Sequence, residues 1–226
     1  MKKIKFKNFK VPKFLPWLLS LLLLPSVIIN VFFFNEIKKN EAGIEVLGVI
    51  DGDTLVLEGK VRVRLRNIDA PELDLCGGKE AKEELEKLVS NKKIVVQEEI
   101  IDQWGRPMAL IYVDNKLVNE EMLKSGWARF HSDSTSQREA LKTAGNQAKK
   151  DLLGVWSPKC QQTTNPENEK CIIKGNLDLN SGKKIYYFPG CSQYKFTIVE
   201  KDIGEDWFCT EKEAQEAGFV RSKTCP

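Results

Sequence analysis

Hydrophobic and polar positions alternate along residues 49–73, VIDGDTLVLEGKVRVRLRNIDAPEL. Leu55 and Leu57 precede Glu58-Gly59-Lys60, and Val61, Val63, Leu65 and Ile68 follow it. A period of two on both sides of a glycine turn predicts a β-hairpin. Its second strand places Val61, Val63 and Leu65 on one face and Arg62, Arg64 and Arg66 on the other. The same rules predict strands at 44–50, 54–58, 61–68, 93–98 and 108–113. Helical spacing takes over at 79–88 (Ala81, Leu85, Leu88), at 117–124, and at Leu141, Ala144, Ala148 and Leu152. The last run follows Ser136-Gln137-Arg138-Glu139, which has the form of a capping box. Strands first and helices interleaved later predict an α+β barrel.

Two segments lie outside this pattern. Residues 1–13 hold six lysines, and residues 14–34 run without a charge. Twenty-one uncharged residues are enough to span a bilayer, and the lysine excess before them predicts an inside N-terminus. Residues 1–40 are thus expected to be a single-pass signal anchor, with the rest of the chain outside the cytoplasm. The alternative is a cleaved signal that releases a secreted protein. After a body at 41–160, residues 161–170 (QQTTNPENEK) read as a polar linker. Residues 171–226 read as a small module with Cys171, Cys191, Cys209 and Cys225, strands at 185–188 and 196–199, and a helix opened by Thr210-Glu211-Lys212-Glu213. Those cysteines lie 20, 18 and 16 residues apart with no Cys-x-x-Cys pair. Two disulfides suit an extracytoplasmic module, and metal ligation is the alternative.

Charge sharpens the division. The chain is +3 overall, but residues 1–40 carry +7, residues 41–157 −4 and residues 158–226 0. Any binding of nucleic acid by the body must therefore rest on a local patch, not on net charge. His131 is the only histidine, which excludes hydrolytic mechanisms that need two.

The chemistry concentrates at the open end of the hairpin. Asp51-Gly52-Asp53-Thr54 leads into the outgoing strand, and Asp69-Ala70-Pro71-Glu72 ends the returning one, so two carboxylate clusters meet there. An oxygen-rich meeting point of this kind suits a hard cation. Asp102-Gln103-Trp104-Gly105-Arg106 follows in the later strand pair. With Arg64, these ordered motifs resemble the staphylococcal nuclease (thermonuclease) family over residues 44–157. The resemblance implies a five-stranded OB-fold barrel with three helices that cleaves phosphodiester bonds of DNA or RNA with one Ca²⁺. It implies Asp53, Asp69 and the Ala70 carbonyl as metal ligands, where the family usually has Thr at the last position. Glu72 becomes the general base, and Arg64 and Arg106 hold the phosphate. Trp104 stands where the family has an aromatic residue able to stack on a base. Family tyrosines near Phe130-His131-Ser132-Asp133 are missing here, which points to a remodelled grip on the terminal phosphate. In the implied fold the start of the first helix and the end of the third approach, so a Cys76–Cys160 disulfide is expected. The tail resembles small cysteine modules found behind secreted nucleases and, more distantly, a zinc-binding module of DNA-repair methyltransferases, and its partner is left open. The chain is expected to act as a monomer. A catalytically silent, nucleic-acid-binding barrel is the other function class, disfavoured because Asp53, Arg64, Asp69, Glu72 and Arg106 are all present.

Overall fold

The computed structural model describes residues 43–179 and 181–226. The basic segment and the expected membrane span lie outside the described residues, among which no helix is long and apolar enough to cross a membrane. In chain order the body contains β1 (Ile44–Val49), β2 (Thr54–Leu57), β3 (Val61–Leu65), β4 (Ile68–Asp69), α1 (Gly78–Val89), β5 (Lys93–Ile101) and β6 (Pro107–Val113). Then come β7 (Lys116–Leu117), α2 (Val118–Lys124), β8 (Arg129–Phe130) and α3 (Arg138–Lys150).

Five strands close into a barrel. Antiparallel pairings join β3 to β2, β2 to β1, β1 to β5 and β5 to β6. A parallel pairing of β3 with β6, Arg64 opposite Met108 and Leu65 opposite Ala109, completes the ring. Closure leaves no free edge between these strands to template aggregation. The alternation in β2 and β3 turns Leu55, Leu57, Val63 and Leu65 inward, while Val61, at the hairpin tip, stays exposed. Ala81, Leu85 and Val89 of α1, Val118, Met122 and Leu123 of α2 and Leu141 of α3 seal the same core. Each fully buried Leu contributes about 1.5–3 kcal/mol by leaving water.

Three local departures from the expected elements have physical causes. The strand expected at 61–68 breaks after Leu65, because Asn67 takes a left-handed backbone (φ 61°) that Asn tolerates better than most residues. Its side-chain amide donates to the carbonyls of His131 (3.2 Å) and Asp133 (2.9 Å), holding the break. Arg66 consequently leaves the solvated face. It is buried and donates to Asp133 (2.7 Å) and to the carbonyls of Glu98 (2.6 Å) and Ser134 (2.8 Å). The capping box at Ser136 does not form: α3 starts with no side-chain cap, and both the Ser136 N–H and hydroxyl donate to Glu98 instead.

The tail contains β9 (Gln161–Gln162), β10 (Ile173–Asp178), β11 (Lys183–Tyr187), β12 (Val199–Glu200), β13 (Trp207–Phe208), α4 (Glu211–Glu216) and β14 (Val220–Arg221). Four of these strands form a sheet in the order β13-β10-β11-β14. β9 pairs with β12, so the start of the polar 161–170 segment is itself ordered against the tail. The strand expected at 196–199 shrinks to Val199–Glu200, because the N–H groups of Phe196 and Thr197 fold back onto the Gln193 carbonyl. Phe196 is left 84% exposed. At α4 the Thr210 hydroxyl accepts from the Glu213 N–H (3.2 Å), and the Glu213 carboxylate accepts from the Cys209 N–H (2.9 Å). All six cysteines are paired: Cys76–Cys160, Cys171–Cys209 and Cys191–Cys225. The tail is therefore stapled by disulfides, with no thiolate left for a metal.

Candidate active site

The Asp51–Asp53 turn is both a turn and a site. Asp51 Oδ1 accepts from the Asp53 N–H (3.1 Å), the short-range bond by which Asp shapes turns. Gly52 is required by close approach, since a Cβ there would stand 2.5 Å from Ala81 Cβ and 2.6 Å from Ala70 Cβ. This proximity sets Asp53 against the returning chain. Asp53 Oδ2 accepts from the Ala70 N–H (3.0 Å), and Oδ1 accepts from the Thr54 hydroxyl (2.9 Å).

Arg64 stands opposite Thr54 in the β2–β3 register and bridges two acids. One terminal nitrogen donates to Asp53 and the other to Asp69. Asp53 is 2% exposed and Asp69 55%, so one carboxylate is sunk and the other faces solvent. Burial pushes the Asp53 carboxyl up to about 7, against the lowering pull of Arg64 and the Ala70 N–H. For Arg64, burial acts to lower the guanidinium, and Asp53 and Asp69 more than offset it, so its pKa is raised. The result is a firmly charged guanidinium beside a buried carboxyl that holds its proton more tightly than usual.

This donor set fits a hard cation. Asp53, Asp69 and the Ala70 carbonyl offer oxygen only, and a single positive group already spans both carboxylates. Among the described residues no three Asp, Glu, His or Cys side chains gather closely enough to hold a metal by themselves. Two carboxylates and a carbonyl leave the rest of a hard cation's coordination to water.

Arg64, Glu72 and Arg106 line one cleft of about 450 Å³, together with Asp51, Thr54 and Arg62. Glu72 is exposed on the loop between β4 and α1. Gly78 allows that loop to close: a Cβ there would sit 1.9 Å from the Glu72 carbonyl oxygen. Arg106 sits in the β5–β6 turn, where Asp102 accepts from the N–H groups of Trp104 (2.9 Å) and Arg106 (2.8 Å) and from Arg106 Nε (2.7 Å). Asp102 thus fixes the guanidinium by Nε and leaves both terminal nitrogens for a ligand. Trp104 is 70% exposed, and its ring lies 4.9 Å from the Arg106 guanidinium. It stands beside the cleft and does not line it. His131 is exposed and also outside it.

The structure therefore gathers Asp53, Arg64, Asp69 and Ala70 by direct contact, with Glu72 and Arg106 across the same opening. Sequence reasoning gave no role to Asp51, Asp102 or Arg62. For Asp102 the signal was present, as an acid four residues before Arg106 across a glycine turn (Gly105, φ 80°). Arg62 was indistinguishable from Arg66 by pattern. Only burial separates the exposed residue in the cleft from the one locked inside.

The fold is a small closed five-stranded barrel with an acid pair at the mouth of one hairpin and two arginines in the adjoining cleft. The family model described as staphylococcal nuclease homologue matches residues 62–158. The thermonuclease of Staphylococcus hyicus is 30% identical over 133 residues, covering 53% of this chain and 79% of that protein. Protein ParB of Escherichia coli is 35% identical over 128 residues, covering 50% and 71%. A probable staphylococcal-like nuclease of Oryza sativa subsp. japonica is 35% identical over 118 residues, covering 52% and 30%. The chain belongs to the staphylococcal nuclease homologue family. It spans less than two fifths of the length of the plant relatives it matches.

Proposed function

We propose that the chain is a Ca²⁺-dependent nuclease that hydrolyses phosphodiester bonds of DNA or RNA outside the cytoplasm, held at the membrane by residues 14–34. The observation that carries this reading is one cleft lined by Arg64, Glu72 and Arg106, in which Arg64 bridges Asp53 and Asp69. Relatives named thermonuclease and staphylococcal-like nuclease support it. Three disulfides suit an oxidising compartment.

Each residue has a defined task in this reading. Asp53, Asp69 and the Ala70 carbonyl would hold the cation, which polarises the phosphate and lowers the cost of a negatively charged transition state. Glu72, exposed and outside the acid pair, takes the proton of the attacking water. Arg106, fixed through Asp102, presents a fork that matches two phosphate oxygens. Arg64, lining the same cleft, would give a second fork, and both arginines would strengthen their hold as charge builds at phosphorus. Arg62 lies two residues along the same strand from Arg64, a rise of about 6.5 Å, and its exposed side chain makes no hydrogen bond or ion pair among the described residues. It is placed to hold the neighbouring phosphate of a polynucleotide. Trp104 adds a sequence-tolerant stacking surface at the rim.

The test is incubation of the full chain with DNA and with RNA, in Ca²⁺, in Mg²⁺ and in chelator. Cleavage in Ca²⁺, little in Mg²⁺ and none in chelator is expected. Equal turnover in chelator overturns the cation assignment, and no cleavage under any condition overturns the nuclease reading.

A further inference from the structure

Among the described residues the cysteine tail bonds to the body at Arg129 of β8 and at Cys76, the two flanks of the segment that carries Asp69, Ala70 and Glu72. We infer that the tail is a positioning clamp on this segment, acting through Arg129 and Asp202; the inference rests on the proposed reading of the site.

The segment needs outside support. At its start, Asp69 belongs to β4, a strand of two residues that pairs only with β8, Ile68 opposite Phe130 and Asp69 opposite Arg129. So short an isolated pair is marginal by itself. Its partner strand is secured from the tail. Arg129 Nε and Nη2 donate to the two oxygens of Asp202 at 2.6 and 2.9 Å, and Nη1 donates to Glu200 at 3.1 Å. The guanidinium also stacks on Trp156 at 4.4 Å. Asp202 is 2% exposed, so this is a bidentate pair shielded from water and not a loose surface contact.

The other end of the segment meets the same turn. Cys76 is bonded to Cys160, and its N–H donates to the Lys201 carbonyl (3.4 Å). The Lys201 N–H donates in turn to the Cys160 carbonyl (2.8 Å). Residues 200–202 therefore reach both ends of the stretch 69–76, Cys76 directly and Asp69 through Arg129. They are themselves tied to the tail sheet by Glu205. This buried carboxylate accepts from the N–H groups of Glu200 (2.8 Å) and Leu177 (2.7 Å) and from the Asn176 amide (2.6 Å). An unbroken path of bonds runs from the tail sheet to the backbone of Asp69 and the loop of Glu72. An error of about 1 Å at a catalytic group can cost ~10²-fold in rate, so holding this loop has a kinetic value beyond stability.

The experiment compares the full chain with its Asp202→Asn variant by amide hydrogen exchange and by steady-state cleavage of a labelled oligonucleotide. Exchange is expected to rise selectively at the amides of Ala70, Leu75 and Cys76 while the barrel strands stay protected. The kcat is expected to fall by about 10- to 100-fold. KM should change less than about twofold, because the arginines that bind substrate are untouched. Phe196→Ala, in the tail but away from the junction, should leave both readouts unchanged. If Asp202→Asn fails to fold, Arg129→Lys carries the same test, since Lys keeps the charge but cannot form the fork. Unchanged exchange at 69–76 overturns the clamp, and so does selective exchange with an unchanged kcat. A chain that cuts no nucleic acid defeats the proposed function, and the exchange comparison still decides whether the tail holds the segment.

Discussion

The barrel and the tail solve the same problem by different means. Among the described residues the barrel gathers twenty buried apolar side chains into one cluster, whereas the tail gathers four, Ile173, Tyr186, Ala214 and Phe219. A core of four cannot offset the conformational entropy of some fifty residues, which costs about 1–2 kcal/mol each for the backbone alone. The tail makes up the difference with two disulfides and with buried polar hubs. Lys174 is an example: it is 2% exposed, donates to the carbonyls of Tyr194 (3.0 Å) and Thr197 (2.6 Å), and has its pKa lowered by burial. The barrel can thus leave charged groups imperfectly satisfied at its mouth, while the tail uses its polar groups as structure. In the tail, buried polar groups stand in for much of a core.

The largest expected contrast is in rate. Glu72→Gln should lower kcat by ~10²–10⁴-fold, as loss of a general base does, while leaving Ca²⁺ binding and the thermal midpoint intact. Replacing both Cys191 and Cys225 by Ser should do the opposite, lowering stability by about 2–5 kcal/mol with little loss of kcat per folded molecule. Denaturant unfolding alongside single-turnover cleavage separates the two. A stability loss for Glu72→Gln, recovered by excess Ca²⁺, makes Glu72 a ligand and reverses its assigned role.

Next in size is pH. The Asp53 carboxyl, raised to about 7 by burial, must lose its proton to bind a cation. Ca²⁺ affinity should therefore rise up to about tenfold per pH unit between roughly 5 and 7 and level off above, as isothermal titration at several pH values would show. The linked effect on stability has the opposite sign. In the metal-free folded chain Asp53 keeps a proton that the unfolded chain releases near 3.8, so stability should fall as pH rises from about 4 to 7. Added Ca²⁺ should cancel that fall, because it binds the ionised form. A metal-free stability that rises through this window shows that burial does not govern Asp53.

The smallest effect belongs to Arg62. Arg62→Gln should weaken oligonucleotide binding a few-fold and reduce the slope of log affinity against log salt by about 0.7 to 0.9, the loss of one phosphate contact. Cleavage of a substrate with only one phosphodiester should be unaffected. An unchanged salt slope places Arg62 outside the binding path and confines the working arginines to Arg64 and Arg106.

How much of this was legible follows the range of the interactions. The hairpin, its inward face and the amphipathic stripe of α1 depend on local period, and they were readable because Leu55, Leu65, Ala81 and Leu85 repeat at strand and helix spacing. The cap of α4 was readable for the same reason, its partners lying three or four residues apart. The similar signal at Ser136 failed because a distant acid, Glu98, competed for the same donors and won. Arg62, Arg64 and Arg66 make the point within one strand. Alternation put all three on one face, yet one lines the cleft, one bridges two acids and one is locked inside against Asp133. The ordered motifs around Asp53, Asp69, Glu72 and Arg106 were enough to mark the family. That Asp53 is buried while Asp69 is open, and that the tail grips both ends of the Glu72 loop, were decided by the tertiary structure. Each depends on groups tens of residues apart along the chain, and a linear pattern carries no information on which of them meet until the barrel closes.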